Sequence, residues 1–310
     1  MPIADTEGVR ALLQRVRRIE LAAQRLVNEQ LSGRYHSVFK GRGMSFDEVR
    51  PYTPGDEVRL IDWNVSARTG DVFVKRFVEE RELTVLLLAD ASASMDFGLS
   101  AAEYRSLSGT TRVEDTKRDL AALVAGAIAL AAQRNNDRVG LITFGAEVQK
   151  FIPARKGRQH ALRVIREVLT MDAAGSPSDL AGALAFVGRV MKRRAAVFVI
   201  SDLEVPGFDR ALRVAARRHD LHAMCVRDPH EDTLVPGGLR TLRDAETGRT
   251  TVVHVTPAFA ARYAEATARH VSAMEQAFKR VRVPLTRFGT DRPYDRALAT
   301  HFARLKGKAL

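Results

Sequence analysis

The chain is nearly without cysteine: its 310 residues hold one, Cys225, inside the apolar run LHAMCV. A single thiol excludes internal disulfides and fits a reducing compartment. A small buried core residue accounts for it better than a catalytic nucleophile does. Long apolar runs are missing too. The longest, Leu120–Ala132 (LAALVAGAIALAA), has 13 residues, short of the ~20 needed to span a bilayer. Flanked by Lys117, Arg118 and Arg134, it reads as a buried helix. The N-terminus MPIADTEGVRALL has no basic stretch leading into an apolar core, so no signal peptide is expected. These absences predict a soluble, cytoplasmic protein with no membrane segment. Neither GxxxxGK[ST] nor a GxGxxG after a strand occurs, so any ATP hydrolysis must come from a partner. No helix-turn-helix, zinc-finger or aromatic RNA-binding signature is found. The 8 histidines sit in no GxSxG context, which disfavours a Ser-His-Asp hydrolase.

What is present is core-forming material. Hydrophobic residues make up 45% of the chain and charged residues 28%, as in a large globular domain or a domain plus an appendage. The net charge of +12 divides as +1 over residues 1–80, +5 over 81–230 and +6 over 231–310. The excess is spread rather than gathered in a tail. It suits an acidic partner surface without requiring one, and no nucleic acid is expected. A basic nucleic-acid-binding protein stays as an alternative, marked by steep salt-dependent retention on DNA.

From residue 83 onward, short apolar strands alternate with helical stretches. The strands are Leu83–Ala89, Arg138–Phe144, Ala195–Ile200, Leu221–Val226 and Val283–Phe288, nearly continuous in apolar residues, as strands covered on both faces are. Helices are predicted over 116–134, 158–170, 178–192, 208–218, 257–280 and 294–305, with Pro257 and Pro293 at helix starts. This alternation predicts an α/β fold, a doubly wound and mostly parallel sheet. Glu147–Ile152 is expected as an antiparallel edge strand, and 233–255, with its PGG and ETG turn signals, as an inserted β-hairpin.

Residues 1–82 differ. An amphipathic helix is predicted over 7–31, with Val9, Leu12, Leu13, Val16, Ile19, Ala23 and Leu26 on one side. Then comes GRGMSFDEVRPYTPGDEVRLIDWNVSARTGDVFVKRFVEERE, rich in Gly, Pro, charge and aromatics. It reads as an irregular, strand-containing platform in which Phe46, Tyr52, Trp63, Phe73 and Phe77 call for burial. Arg50, Arg59 and Arg68 alternate with Asp56, Asp62 and Glu79/Glu80, so internal ion pairs are available. A braced structural element, docking the first helix onto the sheet, is favoured over a direct partner surface. The domain division expected is 1–82 and 83–310.

The chemistry-bearing segment follows the first strand of the second unit: Asp90-Ala91-Ser92-Ala93-Ser94. Its polar residues alternate, so in extended backbone they project to one side. They lie just past the C-terminal end of a central strand, where open α/β sheets place ligands. Ser201-Asp202 ends a second strand, and Ser176-Pro177-Ser178-Asp179 opens a helix at the same edge. Asp90, Ser92, Ser94, Ser178 and Asp202 can therefore converge. Carboxylates and hydroxyls are hard donors, suited to Mg²⁺ first, or to Mn²⁺ or Ca²⁺, and not to zinc. Two carboxylates offset the dication, and the set leaves a coordination position for water or an incoming acid. The competing structural explanation is that Ser and Asp after a strand cap the next helix.

The order DxSxS, then a hydroxyl at a helix start, then Asp after a later strand resembles the metal-ion-dependent adhesion site of von Willebrand factor A domains. The helix-opening hydroxyl is usually Thr in that family; here it is Ser178, with Ser176 as a competitor. The upstream segment is similar to the hallmark of the bacterial family called domain of unknown function 58, matching at Gly41, Gly43, Phe46, Arg50, Tyr52, Gly55, Asp56, Arg59, Ile61, Asp62, Trp63, Ala67 and Arg68. The resemblance covers nearly the whole chain. It implies a von Willebrand factor A-like fold and a non-enzymatic, metal-dependent protein-binding module that works beside a MoxR-type AAA+ ATPase in chaperone-like assembly or activation. Many members carry two membrane helices ahead of the motif; this sequence shows none. The enzyme alternative is a Mg²⁺-dependent phosphotransferase of haloacid dehalogenase type, which needs a second Asp two residues after the first; Ser92 stands there.

Overall fold

The computed structural model describes residues 6–31, 35, 44–79, 82–98, 116–171 and 178–306. Helix α1 (Thr6–Leu26) leads, continued by a short wider-wound turn, Val27–Leu31. The platform follows, made of β1 (Met44–Pro51), α2 (Trp63–Thr69) and β2 (Phe73–Glu79). The rest is an α/β unit: β3 (Thr84–Asp90), α3 (Lys117–Arg134), β4 (Arg138–Phe144), β5 (Val148–Arg155), α4 (Arg158–Leu169), α5 (Leu180–Val190), β6 (Ala196–Ser201), α6 (Asp209–Arg218), β7 (Asp220–Arg227), α7 (Pro229–Asp232), β8 (Gly238–Arg243), β9 (Thr250–Val255), α8 (Pro257–Arg280), β10 (Leu285–Gly289) and α9 (Tyr294–Lys306). The expected strands, helices, edge strand and hairpin all form, most ends shifted by no more than two residues; the edge strand runs three residues further, to Arg155, and the first helix is α-helical to Leu26.

Six strands make the central sheet in the order β10-β7-β6-β3-β4-β5. All neighbours are parallel except β5, which returns antiparallel along β4. Counted from the β5 edge, this is the doubly wound order, whose direction of winding reverses between β3 and β6. The crevice at such a reversal lies beyond the carboxyl ends of the strands, and those two strands end in Asp90 and Ser201-Asp202.

The continuous apolar strands follow from the sheet's two covered faces. Val85, Leu87 and Ala89 enter the core beneath α1, α3, α4 and α9. Leu86 and Leu88, on the opposite side of the pleat, enter the core beneath α5, α6 and α8. Helix α3 is buried at every residue from Lys117 to Ala132, because the sheet covers one side and α1 and α4 lie over the others. The alanine-rich composition permits that enclosure. Gly126 marks the tightest approach, where a Cβ would lie 2.9 Å from the Ile19 methyl. Tyr35 extends the same attachment, its hydroxyl donating to buried Asp137 at 3.0 Å. Helix α1 thus docks directly on α3, through Ile19, Ala23 and Leu26. The side chains of Val9, Leu12 and Leu13 lie outside the described residues.

The platform departs from expectation at Trp63. Strands β1 and β2 pair antiparallel, with a bulge between Phe46 and Glu48. The loop joining them holds a single-turn helix, Val58–Leu60, and α2. Asp62 caps α2, accepting from the Asn64 and Val65 amides. Arg50 makes a two-pronged pair with Asp56, which also accepts from the Thr53 amide. Trp63, expected in the core, is 67% exposed. It is the first residue of a two-turn helix in which no residue is buried, too short to present an apolar stripe. Tyr52 and Phe73 are half-buried. The side chains of Phe46 and Phe77, and the whole of Gly41 and Gly43, lie outside the described residues.

Gly126→Val should lower stability by about 1–3 kcal/mol through overpacking against Ile19, read as a drop in the urea midpoint at unchanged slope. An unchanged midpoint would mean that α1 is not pressed against α3 at this point.

Candidate metal and partner-binding site

The geometry begins with Asp90, the last residue of the central strand β3. Its backbone is fixed by pairing with Phe144, and Ala91 donates onward to the Phe144 carbonyl at 2.7 Å. The carboxylate is 1% exposed. Oδ1 accepts from the Ser92 amide at 2.9 Å and the Ser178 hydroxyl at 2.6 Å. Oδ2 accepts from the Ser201 hydroxyl at 2.6 Å. Burial, with the nearby charge of Asp202, pushes the Asp90 carboxyl above its ordinary value, although all three donors oppose the shift.

Ser92 and Ser94 face each other, Oγ to Oγ, at 3.1 Å, and Ser94 donates to Asp202 Oδ2 at 2.7 Å. All five predicted residues therefore belong to one hydrogen-bonded cluster. Ser178 reaches it because Asp179 caps α5 and its own amide bonds the Gly145 carbonyl at 2.7 Å, tying the helix start to the end of β4. Ser176 lies outside the described residues. Asp202 is presented by a turn in which buried Leu203 takes φ 62°. A left-handed backbone at a branched residue is strained, and here it is held by the Leu203 amide donating to Ser201 Oγ at 2.9 Å.

A buried lysine completes the arrangement. Lys117, the first residue of α3, is 0% exposed and donates to Asp202 Oδ2 at 2.7 Å and Glu231 Oε1 at 2.6 Å. Burial opposes its charge, but the two carboxylates outweigh it and hold the ammonium protonated. Burial likewise pushes Asp202 up; the Lys117 charge and the Lys117 and Ser94 hydrogen bonds prevail, and the carboxyl stays below its ordinary value. Glu231, lifted chiefly by burial, is carried on α7, whose start is fixed by an Asp228 capping box. From the hairpin between β8 and β9, Glu246 Oε1 accepts from the Ser94 amide at 2.9 Å.

The charge is unevenly answered. Asp202 has a buried cation; Asp90 has three neutral donors and, among the described residues, no ion pair. The donor set suits a hard dication. Among the described residues no group of three or more His, Cys, Asp or Glu side chains forms a metal cluster; this cluster is instead dominated by hydroxyls.

A model of the family described as Protein of unknown function DUF58 matches residues 48–273. The chain belongs to this family. The DUF58 match spans the platform from Glu48 onward, the central sheet up to β7 and the hairpin, so it includes every residue of the cluster. Uncharacterized protein Rv1480 of Mycobacterium tuberculosis (strain ATCC 25618 / H37Rv) is 34% identical over 282 residues, 90% of this chain and 85% of that protein. Uncharacterized protein MAV169 of Mycobacterium avium is 32% identical over 146 residues, 46% of this chain and 86% of that protein. Among solved structures, the chain is similar to the conserved hypothetical protein BatB from Bacteroides thetaiotaomicron (15% identity, TM-score 0.40, 73% of this chain and 99% of that one). It is also similar to the SpRpn10 VWA domain (10% identity, TM-score 0.37, 72% and 95%).

Sequence reasoning about this DUF58 chain missed Lys117, Ser201, Glu231 and Glu246. Ser201 stood in plain view, one residue before Asp202. Lys117 carried a signal as well, a cation at the head of a helix that is apolar all round from Leu120 to Ala132. Nothing local marked Glu231 or Glu246. In the platform, Asp62 lies 3.5 Å from the Lys75 ammonium, whereas Arg59 and Arg68 are exposed and have no ion-pair partner among the described residues.

Lys117→Met should cost about 3–5 kcal/mol, the penalty of leaving a buried carboxylate without its cation. Adding Asp202→Asn should recover much of it in a double-mutant cycle by denaturant titration. Additive losses would dissolve the pairing.

Proposed function

We propose that this protein is a non-enzymatic binding module that holds one divalent cation, Mg²⁺ by preference, and uses it to capture an acidic group of a protein partner. Asp90, Ser92, Ser94, Ser178 and Asp202 are the residues that would hold the ion. The observation that carries the reading is the buried Asp90 carboxylate. It sits among hydroxyls at the sheet's winding reversal, lacks a positive partner among the described residues, and has a strained, tightly bonded turn presenting Asp202 opposite. A buried charge of this kind is costly unless a cation answers it. When bound, the dication supplies a hard Lewis acid able to accept a carboxylate oxygen. The protein's own part is to fix the donors on strand ends and to keep water from the carboxylates. Lys117 neutralises part of the acid cluster, which leaves the ion electrophilic toward an incoming acid.

The family resemblance directs the partner toward a MoxR-type AAA+ ATPase. The exposed Trp63, with Arg59 and Arg68 on the same short segment, supports the platform as a second partner surface, since aromatic and arginine side chains are enriched at interfaces. Among the described residues, no helix is long and apolar enough to cross a membrane.

Titration calorimetry with Mg²⁺ and Mn²⁺ tests the ion. The wild type should bind one equivalent, and Asp90→Ala should lose binding while keeping its circular dichroism. Equal affinity in both would defeat the assignment. Affinity purification from the native cell should yield an AAA+ protein that EDTA elutes; retention indifferent to EDTA would count against metal-mediated capture.

A further inference from the structure

We propose that Glu246 is a built-in acidic ligand for this cation, so that the β8–β9 hairpin occupies the position a partner's carboxylate must take. The inference rests on the metal-dependent reading above. It starts from a contact between residues far apart in the chain. Glu246 Oε1 accepts from the Ser94 amide at 2.9 Å, on the residue whose hydroxyl bridges Ser92 and Asp202. The other oxygen, Oε2, is buried and has no hydrogen-bond partner. A desolvated carboxylate oxygen without a partner is costly and rare. The buried Lys117 ammonium is shared between Asp202 and Glu231, and among the described residues Glu246 has no ion-pair partner. A dication at Asp90, Ser92 and Ser94 would supply a positive charge and a partner for Oε2.

The hairpin is built for the task. Asp244 closes its turn, accepting from the Glu246 amide at 2.9 Å and the Thr247 amide at 2.8 Å. Gly248, at φ 69°, permits the return of the chain. The tip is therefore ordered locally, and Glu246 is presented by a fixed turn. The strands behind it are bare, with Leu239 73% and Val252 63% exposed. A two-stranded ribbon is marginal by itself in water. This one is anchored at its base by buried Val255 and at its tip by Glu246. An arm held so lightly can yield to a carboxylate that binds the ion more tightly, and the protein would then bind partners only when the hairpin is displaced.

Water-proton relaxation with Mn²⁺ as probe tests this on the full chain. Wild type, Glu246→Ala and Asp90→Ala are compared. Replacing Glu246 should weaken Mn²⁺ binding about 10- to 100-fold. It should also raise the relaxivity of the bound ion, because water takes the place of the carboxylate. Millimolar acetate should then lower that relaxivity in Glu246→Ala and leave the wild type unchanged. Wild-type affinity and relaxivity in Glu246→Ala would overturn the hairpin's role alone, with Asp90→Ala still losing the ion. Absence of Mn²⁺ binding in the wild type would remove the metal-dependent reading together with this one.

Discussion

Taking a carboxylate out of water costs several kcal/mol unless charge and hydrogen bonds replace the lost hydration. The carboxyl end of this sheet ties Asp90, Asp202, Glu231 and Glu246 into one hydrogen-bonded network with Ser92, Ser94 and Lys117. Much of the surrounding architecture can be understood as compensation for that. Helix α3 brings an ammonium to Asp202 and Glu231. The strained turn at Leu203 aims Asp202, and the caps at Asp179 and Asp228 fix the loops that deliver Ser178 and Glu231. Among the described residues two of these acids, Asp90 and Glu246, are left to neutral donors, and Asp90 stands where the winding of the sheet reverses.

The fold was legible because the hydrophobic pattern is unambiguous where the core is deep. Runs such as LTVLLLA and AAVFVI, short and rich in Val, Ile and Leu, read as strands covered on both sides, and LAALVAGAIALAA, long and alanine-rich, as a helix enclosed all round. The five hydroxyl and carboxyl residues were legible for a related reason. They sit at strand ends and a helix start, which topology forces to one edge. Lys117, Glu231 and Glu246 escaped notice because they arrive from elements whose approach depends on tertiary packing. Glu246 lies 152 residues beyond Ser94 in the chain, and no local periodicity encodes that meeting.

Trp63 shows the opposite failure. Burial was expected from side-chain chemistry alone, yet the residue opens a short helix, and a helix of two turns offers no groove to fill. Where a segment lacks periodicity, the apolar character of a side chain does not say whether it faces its own core or another molecule. The Arg50–Asp56 pair and the Asp62 cap rigidify the platform from within, so it presents its outer residues on a defined frame.

Helix α3 has one further consequence. Enclosed along sixteen successive positions from Lys117 to Ala132, it has no free side along which to slide or roll without opening the core. The positive pole at its head is therefore the immobile reference of the cluster. Asp90 is fixed at the end of β3, but Asp202, Glu231 and Glu246 ride on a turn, a one-turn helix and a bare ribbon, so a change of state would come from these negative groups travelling relative to a stationary ammonium.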